Sequence, residues 1–356
     1  MNEYYRLAKE KWDAVAKPLD GMGEFEHILC KIAAIQETTD IQIEKRAILT
    51  LCGDHGVVAE SVTQTGQSVT ASVAAHMARG TGNVCRMAKT ANIQVIPVDM
   101  AIKEPLPEDI QRVDTIREAL RPGTILNAHV APETGDFVKE VAMHPVKMAI
   151  AMATGSKLVE ACLEEGYTIL GTGEMGIGNT TSSSALAACL LHVKPEEVTG
   201  RGAGLSDAGL QRKIEVIRQG IAFHKLEEEQ DTERILSCLG GYEIAGLVGV
   251  FLGGKKYGVP IVIDGLITAV AALIAERLKP GCKDYMLASH LGREKAMTMI
   301  LEELQLKPVI HGDLALGEGT GAAMLFPLLD MAKAVYDGST FADIQVGQYR
   351  RFEHEG

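Results

Sequence analysis

A stretch of glycines, one carboxylate and a run of hydroxyl side chains has the composition of an anion-binding site. It reads GTGEMGIGNTTSSSAL, from Gly171 to Leu186. Backbone amides at the start of a helix, with the hydroxyl groups of the NTTSSS run (Asn179–Ser184), suit one compact phosphate. The sequence has neither a GKS or GKT motif nor a paired-aspartate diphosphate loop, so the stretch favours a monophosphate. The carboxylate of Glu174 would repel such an anion, and its presence here needs an explanation.

The same stretch also fits a dinucleotide-binding fingerprint. Gly171, Gly173 and Gly176 match G-x-G-x-x-G between a predicted strand and a predicted helix. The acidic residue expected about twenty positions further on would fall in VKPEEV (193–198), where no strand end is evident. An NAD-dependent oxidoreductase therefore stays open as an alternative, although Glu174 would face the pyrophosphate at close range.

Polar motifs follow several apolar runs of the chain. GDHG begins at Gly53, DGL at Asp264, HLGREK at His290 and GEGTGAA at Gly317. Because ligands of open parallel sheets bind outside the carboxyl ends of the strands, we expect these loops and the glycine-rich stretch to form one composite site. Glu318 lies between two glycines of the last motif, and on this evidence alone it is either a turn residue or a catalytic one.

Short apolar runs alternate with longer helical patterns, which include Pro145–Gly166 and Leu205–Lys225. The apolar runs lack a regular alternation, as expected of strands that are covered on both faces. This order predicts an α/β fold with a mostly parallel, doubly wound sheet. The runs expected to form strands are Ala47–Cys52, Ile93–Val98, Tyr167–Leu170, Val259–Ile263 and Tyr285–Ser289.

The two ends of the chain show helical patterns without strands. They predict a small helical subdomain built from residues 1–45 together with 320–356. The large α/β catalytic domain would then span residues 46–319. The segment Arg121–Asp136, rich in Pro, Gly and polar residues, is expected to be a long excursion from the sheet.

Composition and charge exclude several classes of function. The formal net charge of −12 argues against nucleic-acid and anionic membrane surfaces, which need basic patches. The seven cysteines form no CxxC motif and are typical of reduced thiols. No apolar signal core opens the chain, and stretches such as Leu266–Ala275 are too short to span a bilayer, so we expect a cytoplasmic protein. His55 beside Asp54 has no second ligand pattern, so we expect neither a metal nor a cofactor.

Eight segments resemble the nicotinate-nucleotide–dimethylbenzimidazole phosphoribosyltransferase family, which makes the lower-ligand nucleotide of cobamides. Their order and spacing match over nearly the whole chain. The resemblance implies a Rossmann-like three-layer α/β/α domain, a small helical domain made from both chain ends, and a dimer. The segments are GDHGV (53–57), SVTASVAAHMARGTGNVC (68–85), GTGEMGIGNTT (171–181), GRGAGLSDAGLQRK (200–213), LGGYEIAGLVG (239–249), VIDG (262–265), SHLGREK (289–295) and LGEGTGAA (316–323).

The resemblance also implies roles for individual residues. The family's donor, nicotinate mononucleotide, carries a phosphate and a cationic pyridinium on one ribose, so its site needs anion donors at one end and carboxylates at the other. Glu174 would serve the cationic end, and Glu318 would be the general base that takes the acceptor's proton. Substrate contacts are assigned to Met175, Gly176, Gly178, Asn179, Thr180, Gly202, Ala203, Lys213, Asp264, Ser289 and Leu316.

One departure from the family pattern concerns the acceptor. Members that use dimethylbenzimidazole commonly carry Ser and Gln where this chain has Thr65 and Val73. Loss of the polar side chain at Val73 leaves an apolar wall, which discriminates weakly between ligands. Two interpretations stay open: a phenolic acceptor such as phenol or p-cresol, with a homologous chain as heterodimer partner, or a benzimidazole held elsewhere in a homodimer. A catalytically idle subunit of a heteromer is a further alternative.

Overall fold

A seven-stranded parallel sheet forms the centre of the computed structural model, which describes residues 3–350. The strand order is β3-β4-β2-β1-β5-β6-β7, and all neighbouring strands pair in parallel. A separate parallel pair, β8 and β9, lies outside this sheet. The strands are β1 Arg46–Gly53, β2 Gln94–Ala101, β3 Gln111–Val113, β4 Thr124–Asn127, β5 Ile169–Met175, β6 Ile261–Ile263, β7 Met286–Ala288, β8 His290–Gly292 and β9 Ile310–Leu314.

Helices cover both faces of the sheet, which confirms the predicted three-layer α/β fold. They are α1 Glu3–Ala14, α2 Glu24–Gln36, α3 Ser68–Ala78, α4 Asn83–Thr90, α5 Ile116–Ala119, α6 Pro145–Glu164, α7 Asn179–Leu191, α8 Pro195–Val198, α9 Asp207–His224, α10 Thr232–Leu239, α11 Tyr242–Tyr257, α12 Leu266–Leu278, α13 Lys295–Leu304 and α14 Thr320–Tyr336. Two short 3-10 turns complete the set, Gly56–Glu60 and Lys283–Tyr285. Among the described residues no helix is long and apolar enough to cross a membrane.

Each of the five predicted strands is present, but their bounds differ at important places. The strand predicted to end at Leu170 continues as β5 to Met175, so the first part of the expected loop is strand. β3 and β4 were not predicted, and β4 lies inside the segment Arg121–Asp136 that was expected to be an excursion. These strands have only three and four residues, too few to show a pattern that distinguishes them from a loop.

Two cores lie on the two faces of the sheet. On one face α6 and α11 approach so closely that a Cβ on Gly155 would lie 1.8 Å from the carbonyl oxygen of Gly246. The same holds for Gly249, whose Cβ would lie 1.9 Å from the carbonyl oxygen of Met152. On the other face, α3, α4 and the helices of both chain ends pack over residues such as Ile48 of β1. Both faces of the sheet are therefore sealed from water.

Helices from the two ends of the chain pack against each other. The rings of Trp12 in α1 and Tyr336 in α14 lie 5.1 Å apart, and an isolated antiparallel bridge joins Val15 to Thr340. Buried residues of these helices share one core with the sheet face. The division into residues 1–45 with 320–356 and residues 46–319 stays a prediction, and its last residues, 351–356, lie outside the described part of the chain.

The strand order fixes where a ligand can bind. From β1 the chain proceeds to β2 on one side and later to β5 on the other, so the carboxyl ends of these strands open a crevice between them. The loops after β1, β5 and β6 meet there, together with the loop that precedes α14.

Candidate active site

Glu174 is the first of two buried carboxylates in the crevice. It lies near the end of β5 and is 8% exposed. The side-chain amide of Asn179 donates to its carboxylate. Burial, followed by the negative charge of Asp264, raises the pKa of Glu174 to about 8. A Cβ on Gly317 would lie 2.5 Å from Oε1 of Glu174, so the loop before α14 passes directly over this carboxylate.

Glu318, on that loop, is the second buried carboxylate. Its φ of 62° is left-handed, which is costly for a residue other than glycine and is retained only where the surroundings impose it. Thr50 Oγ1 of β1 donates to its carbonyl oxygen at 3.0 Å, and a Cβ on Gly173 would lie only 2.5 Å from that oxygen. The backbone of Glu318 is thus clamped against β1 and β5.

The side chain of Glu318 is held by one backbone amide. Val84 N, in the first turn of α4, donates to Oε2 at 3.3 Å. The residue is 8% exposed, and burial raises the pKa of its carboxyl group above the ordinary range of a glutamate. A carboxylate with a raised pKa is suited to general-base catalysis.

Asp264 and Ser289, which were predicted to contact substrate, use their side chains inside the protein. Asp264 accepts from three backbone amides at the start of α14: those of Gly319 (3.1 Å), Gly321 (2.6 Å) and Ala322 (3.2 Å). Burial raises its pKa to about 7. The hydroxyl of Ser289 donates to the carbonyl oxygen of Ile263 at 2.7 Å. The geometry therefore gives Asp264 the task of fixing the loop that carries Glu318.

A small cleft lies at the start of α7, on the other side of the glycine-rich segment. Lys213 of α9 is 1% exposed, and its Nζ donates to Thr180 Oγ1 at 2.9 Å and to the carbonyl oxygen of Gly200 at 3.2 Å. Burial lowers the pKa of Lys213 to about 8. Gly202 has a φ of 52°, and its Cβ would lie 2.9 Å from Thr180 Oγ1. An anion entering the cleft would meet this ammonium and the Thr180 hydroxyl at the start of α7.

Eight of the predicted site residues line this cleft. They are Thr65, Gly176, Gly178, Asn179, Thr180, Gly202, Ala203 and Lys213. The cleft has a volume of about 90 Å³. The other residues predicted to contact substrate lie elsewhere: Val73 is half-buried on α3, Met175 is half-buried at the end of β5, and Leu316 is 51% exposed beside Gly317.

The NTTSSS run supplies fewer hydroxyls than its sequence suggests. Thr181, Ser182, Ser183 and Ser184 are all 0–1% exposed inside α7, whereas Thr180 lines the cleft. Because the run begins a helix that is buried all round, successive hydroxyls point in different directions, and most point into the core.

The dinucleotide interpretation is not supported by the geometry. Gly171 and Gly173 lie within β5, whereas the fingerprint places its glycines in the turn after the strand. A Cβ on Gly171 would lie 2.9 Å from Cγ1 of Ile48 and 3.0 Å from Cβ of Ala322. These glycines therefore let α14 and its preceding loop approach the sheet.

Two sets of contacts at the site were not predicted, that of Val84 with Glu318 and those of His55 with Ser182 and Glu243. The amide of Val84 reaches Glu318 across 234 positions of sequence, and the only signal near it is the GTGN segment before α4. His55, for which we expected a structural role, is fully buried, with Nε2 2.6 Å from Glu243 Oε1 and Nδ1 2.9 Å from Ser182 Oγ.

Among the described residues, the one group of three acids close enough to share an ion is Asp13, Asp20 and Glu26. This group is far along the chain from the site loops and is paired with Lys9 and Lys17.

Comparisons with known proteins identify the family of the chain. The sequence model of a family described as phosphoribosyltransferase matches residues 1–346, which defines the class of protein. The chain is 36% identical over 352 residues to the nicotinate-nucleotide–dimethylbenzimidazole phosphoribosyltransferase of Ruminiclostridium cellulolyticum, covering 99% of this chain and 96% of that one. It is 37% identical over 341 residues to the enzyme of the same name from Desulfotalea psychrophila, covering 95% and 93% of the two chains.

Solved structures show the same likeness. The crystal structure of CobT from Thermus thermophilus superposes with a TM-score of 0.88 at 33% sequence identity, covering 98% of this chain and 100% of that chain. The chain therefore belongs to the nicotinate-nucleotide–dimethylbenzimidazole phosphoribosyltransferase family.

Proposed function

We propose that this protein transfers 5-phosphoribose from nicotinate mononucleotide to an aromatic base that becomes the lower ligand of a cobamide. One observation carries the proposal. The anion cleft with the buried Lys213 lies at the Thr180 end of the segment Glu174–Thr180, and the buried carboxylates of Glu174 and Glu318 lie at its Glu174 end. The donor has matching charges, a phosphate at one end of its ribose and a pyridinium at the other. The names of the relatives support the same donor and acceptor.

The phosphate end of the donor is assigned to the cleft. Its oxygens would accept from Lys213 Nζ and from Thr180 Oγ1 at the start of α7. Because Lys213 is buried and its two hydrogen-bond partners, Thr180 and Gly200, are neutral, an incoming phosphate supplies a counter-charge at the ammonium and favours its protonated form.

The cationic end is assigned to Glu174. As the bond between C1′ and the pyridinium nitrogen breaks, its electron pair goes to that nitrogen and positive charge moves onto C1′ and the ribose ring oxygen. A carboxylate beside this centre stabilises the developing cation more in the dry crevice than it would in water. The ring nitrogen of nicotinate leaves neutral, so the departure needs no acid.

Glu318 is assigned the role of general base. The acceptor's attacking atom forms the new bond to C1′ on the face opposite the leaving nicotinate, and its proton passes to the carboxylate of Glu318. Inversion gives an α-riboside phosphate. Thr50 fixes the backbone of Glu318, and the amide of Val84 fixes its carboxylate. These contacts orient the carboxylate as such a proton transfer requires.

The acceptor is a finer question, and we propose that it includes phenols such as phenol or p-cresol. The proposal rests on Val73, whose apolar side chain stands where benzimidazole-using members carry Gln. The test is competition between p-cresol and dimethylbenzimidazole for limiting donor. Strong preference for the benzimidazole, with no phenolic product by mass, would rule the phenolic acceptor out and leave dimethylbenzimidazole.

We further propose that the protein works as a cytoplasmic homodimer, or as a heterodimer with a homologous chain when the acceptor is phenolic. Light scattering on the purified chain, alone and after co-expression with its homologue, separates these assemblies. Cell fractionation tests the location.

The decisive experiment for the activity uses purified protein and nicotinate mononucleotide. It is incubated with a panel of benzimidazoles, purines and phenols, and the products are identified by mass. An α-riboside phosphate together with an equal amount of nicotinate is expected. Absence of both with every acceptor would favour the alternative of a catalytically idle subunit.

A further inference from the structure

The first five residues of the segment Gly176–Ser182 line one side of the anion cleft, yet few side chains of the segment fix its position. Gly176 and Gly178 have no side chains, and the left-handed φ of Gly178, 99°, is freely adopted only by glycine. Something outside the segment must therefore hold it in place.

The first part of the segment is held by a buried chain of hydrogen bonds from Asp54. The amide of Ile177 donates to Thr70 Oγ1 at 3.1 Å, and that hydroxyl donates to Asp54 Oδ1 at 2.6 Å. The other carboxylate oxygen, Oδ2, accepts from the amide of Lys103 at 2.9 Å. Asp54 and Thr70 are both 0% exposed, so water does not compete for these bonds.

The second part of the segment is held by His55, the residue that follows Asp54 in the chain. His55 Nδ1 lies 2.9 Å from Ser182 Oγ, one turn into α7, and its Nε2 lies 2.6 Å from Glu243 Oε1. A Cβ on Gly178 would lie 3.0 Å from Cβ of His55, so the segment rests directly on this side chain. Glu243 lies in the first turn of α11, and its contact with Nε2 fixes the orientation of the ring.

We propose that Asp54 and His55 are positioning residues for the anion cleft. Asp54 acts on the segment through Thr70, and His55 acts on it through Ser182. Neither residue is among those that line the cleft. Their effect is to set the position of the backbone from Ile177 to Thr180, which lines the cleft. This inference rests on the proposed function only for the identity of the ligand, because the cleft itself is a feature of the fold.

The chain supplies matched controls for a test. Thr181 and Ser183 are buried neighbours of the contacts in question, and within the described part of the chain their hydroxyls have no hydrogen-bond partner. Thr70→Val and Ser182→Ala remove one linking hydroxyl each with little change in volume. Thr181→Val and Ser183→Ala remove hydroxyls that make no hydrogen bond in the described part of the chain. Thr70→Ser keeps the linking hydroxyl.

Two readouts are measured for every variant: steady-state kinetics with nicotinate mononucleotide, and calorimetric binding of ribose 5-phosphate, which needs no turnover. Thr70→Val and Ser182→Ala should each weaken binding of ribose 5-phosphate and raise KM for the donor about tenfold, with kcat within about twofold, because each loses a hydrogen bond that orients a binding site. Thr181→Val, Ser183→Ala and Thr70→Ser should stay within about twofold of the wild type in both readouts.

The outcomes separate the inference from the proposed function. Wild-type binding of ribose 5-phosphate without any transfer product would refute the proposed function while the variants still test the positioning role. Unchanged ribose 5-phosphate binding in Thr70→Val and Ser182→Ala, even with a lower Tm, would show that the contacts serve stability alone and would overturn the inference. Equal losses in the linking and the control variants would overturn it as well.

Discussion

Glu318→Gln tests the mechanism most directly, because the amide has nearly the same shape as the carboxylate but cannot take a proton at neutral pH. The structure predicts that the variant folds normally. Gln keeps an oxygen that can accept from Val84 N, and the left-handed backbone is fixed by Thr50 through the carbonyl oxygen, which the substitution does not touch.

The expected loss follows from the role of a general base. Such groups contribute about 10²–10⁴-fold to the rate, equivalent to about 3–5 kcal/mol of the barrier. Because the proposed function assigns the phosphate of the donor to the anion cleft, we expect kcat to fall about a hundredfold or more and donor affinity to change about twofold at most. The assay is nicotinate release under saturating acceptor, with donor affinity measured separately by calorimetry.

The pH profile gives a second signature. Glu318 must be ionised to act as a base, and burial raises its pKa, so wild-type kcat should rise with pH through a value above the ordinary range of a glutamate. That rising limb should be absent in Glu318→Gln. Turnover equal to the wild type, or an unchanged limb, would remove Glu318 from the mechanism. A Glu174→Gln defect that grows as acceptors become less acidic would instead identify Glu174 as the base.

Three further predictions concern the anion cleft and the other buried carboxylates of the site. Lys213→Met should raise KM for nicotinate mononucleotide about tenfold or more while leaving inhibition by nicotinate, which lacks the phosphate, unchanged; equal loss of both would place Lys213 outside the phosphate site. Asp264→Ala should lower the stability by about 3 kcal/mol, measured by urea unfolding, because three amides at the start of α14 lose their acceptor, and it should lower kcat as the loop of Glu318 loosens. Glu174→Gln should raise Tm at pH 8 while abolishing most turnover, with the gain in Tm disappearing near pH 5; a lower Tm at pH 8 would contradict the burial argument.

The sign of the last effect follows from the pKa of Glu174, which is about 8 in the folded protein and 4.5 for an unperturbed glutamate, as in the unfolded chain. Between these values the folded state holds a proton that the unfolded state has released. The contribution of Glu174 to stability therefore falls as pH rises from about 4.5 to about 8 and does not change above that. Gln does not titrate, so the difference in stability between Glu174→Gln and the wild type should grow over the same pH range.

The sequence was informative where function depends on local pattern. Apolar runs located the central strands, and glycine with Thr180 predicted an anion site at the start of a helix, where the structure has a cleft lined by Thr180 and Lys213. It was misleading at Gly171 and Gly173, which resemble a loop by composition. They lie in β5, and they are glycines because the loop of Glu318 and α14 cross the strand too closely to admit a Cβ. Such a contact between distant segments leaves no local signal.

The same limit explains what the sequence did not predict around the carboxylates. Asp264 ends a strand, and its own neighbours suggest only a cap for the following helix, α12. In the structure it accepts from the amides of α14, at least 55 positions away. Partners of this kind are fixed by strand order and register, and a single sequence states neither.

A carboxylate placed inside an anion-binding segment is reasonable once the geometry is known. Glu174 belongs to the strand and Thr180 to the helix, so the turn between them separates the negative side chain from the cleft. Asn179 joins the two halves: its amide donates to Glu174 while its backbone begins the helix that faces the anion. In the free protein, burial and the nearby negative charge of Asp264 raise the pKa of Glu174. Under the proposed function, a pyridinium bound in the crevice would supply a positive charge and favour the ionised form of Glu174, so this carboxylate would gain its charge as the donor binds.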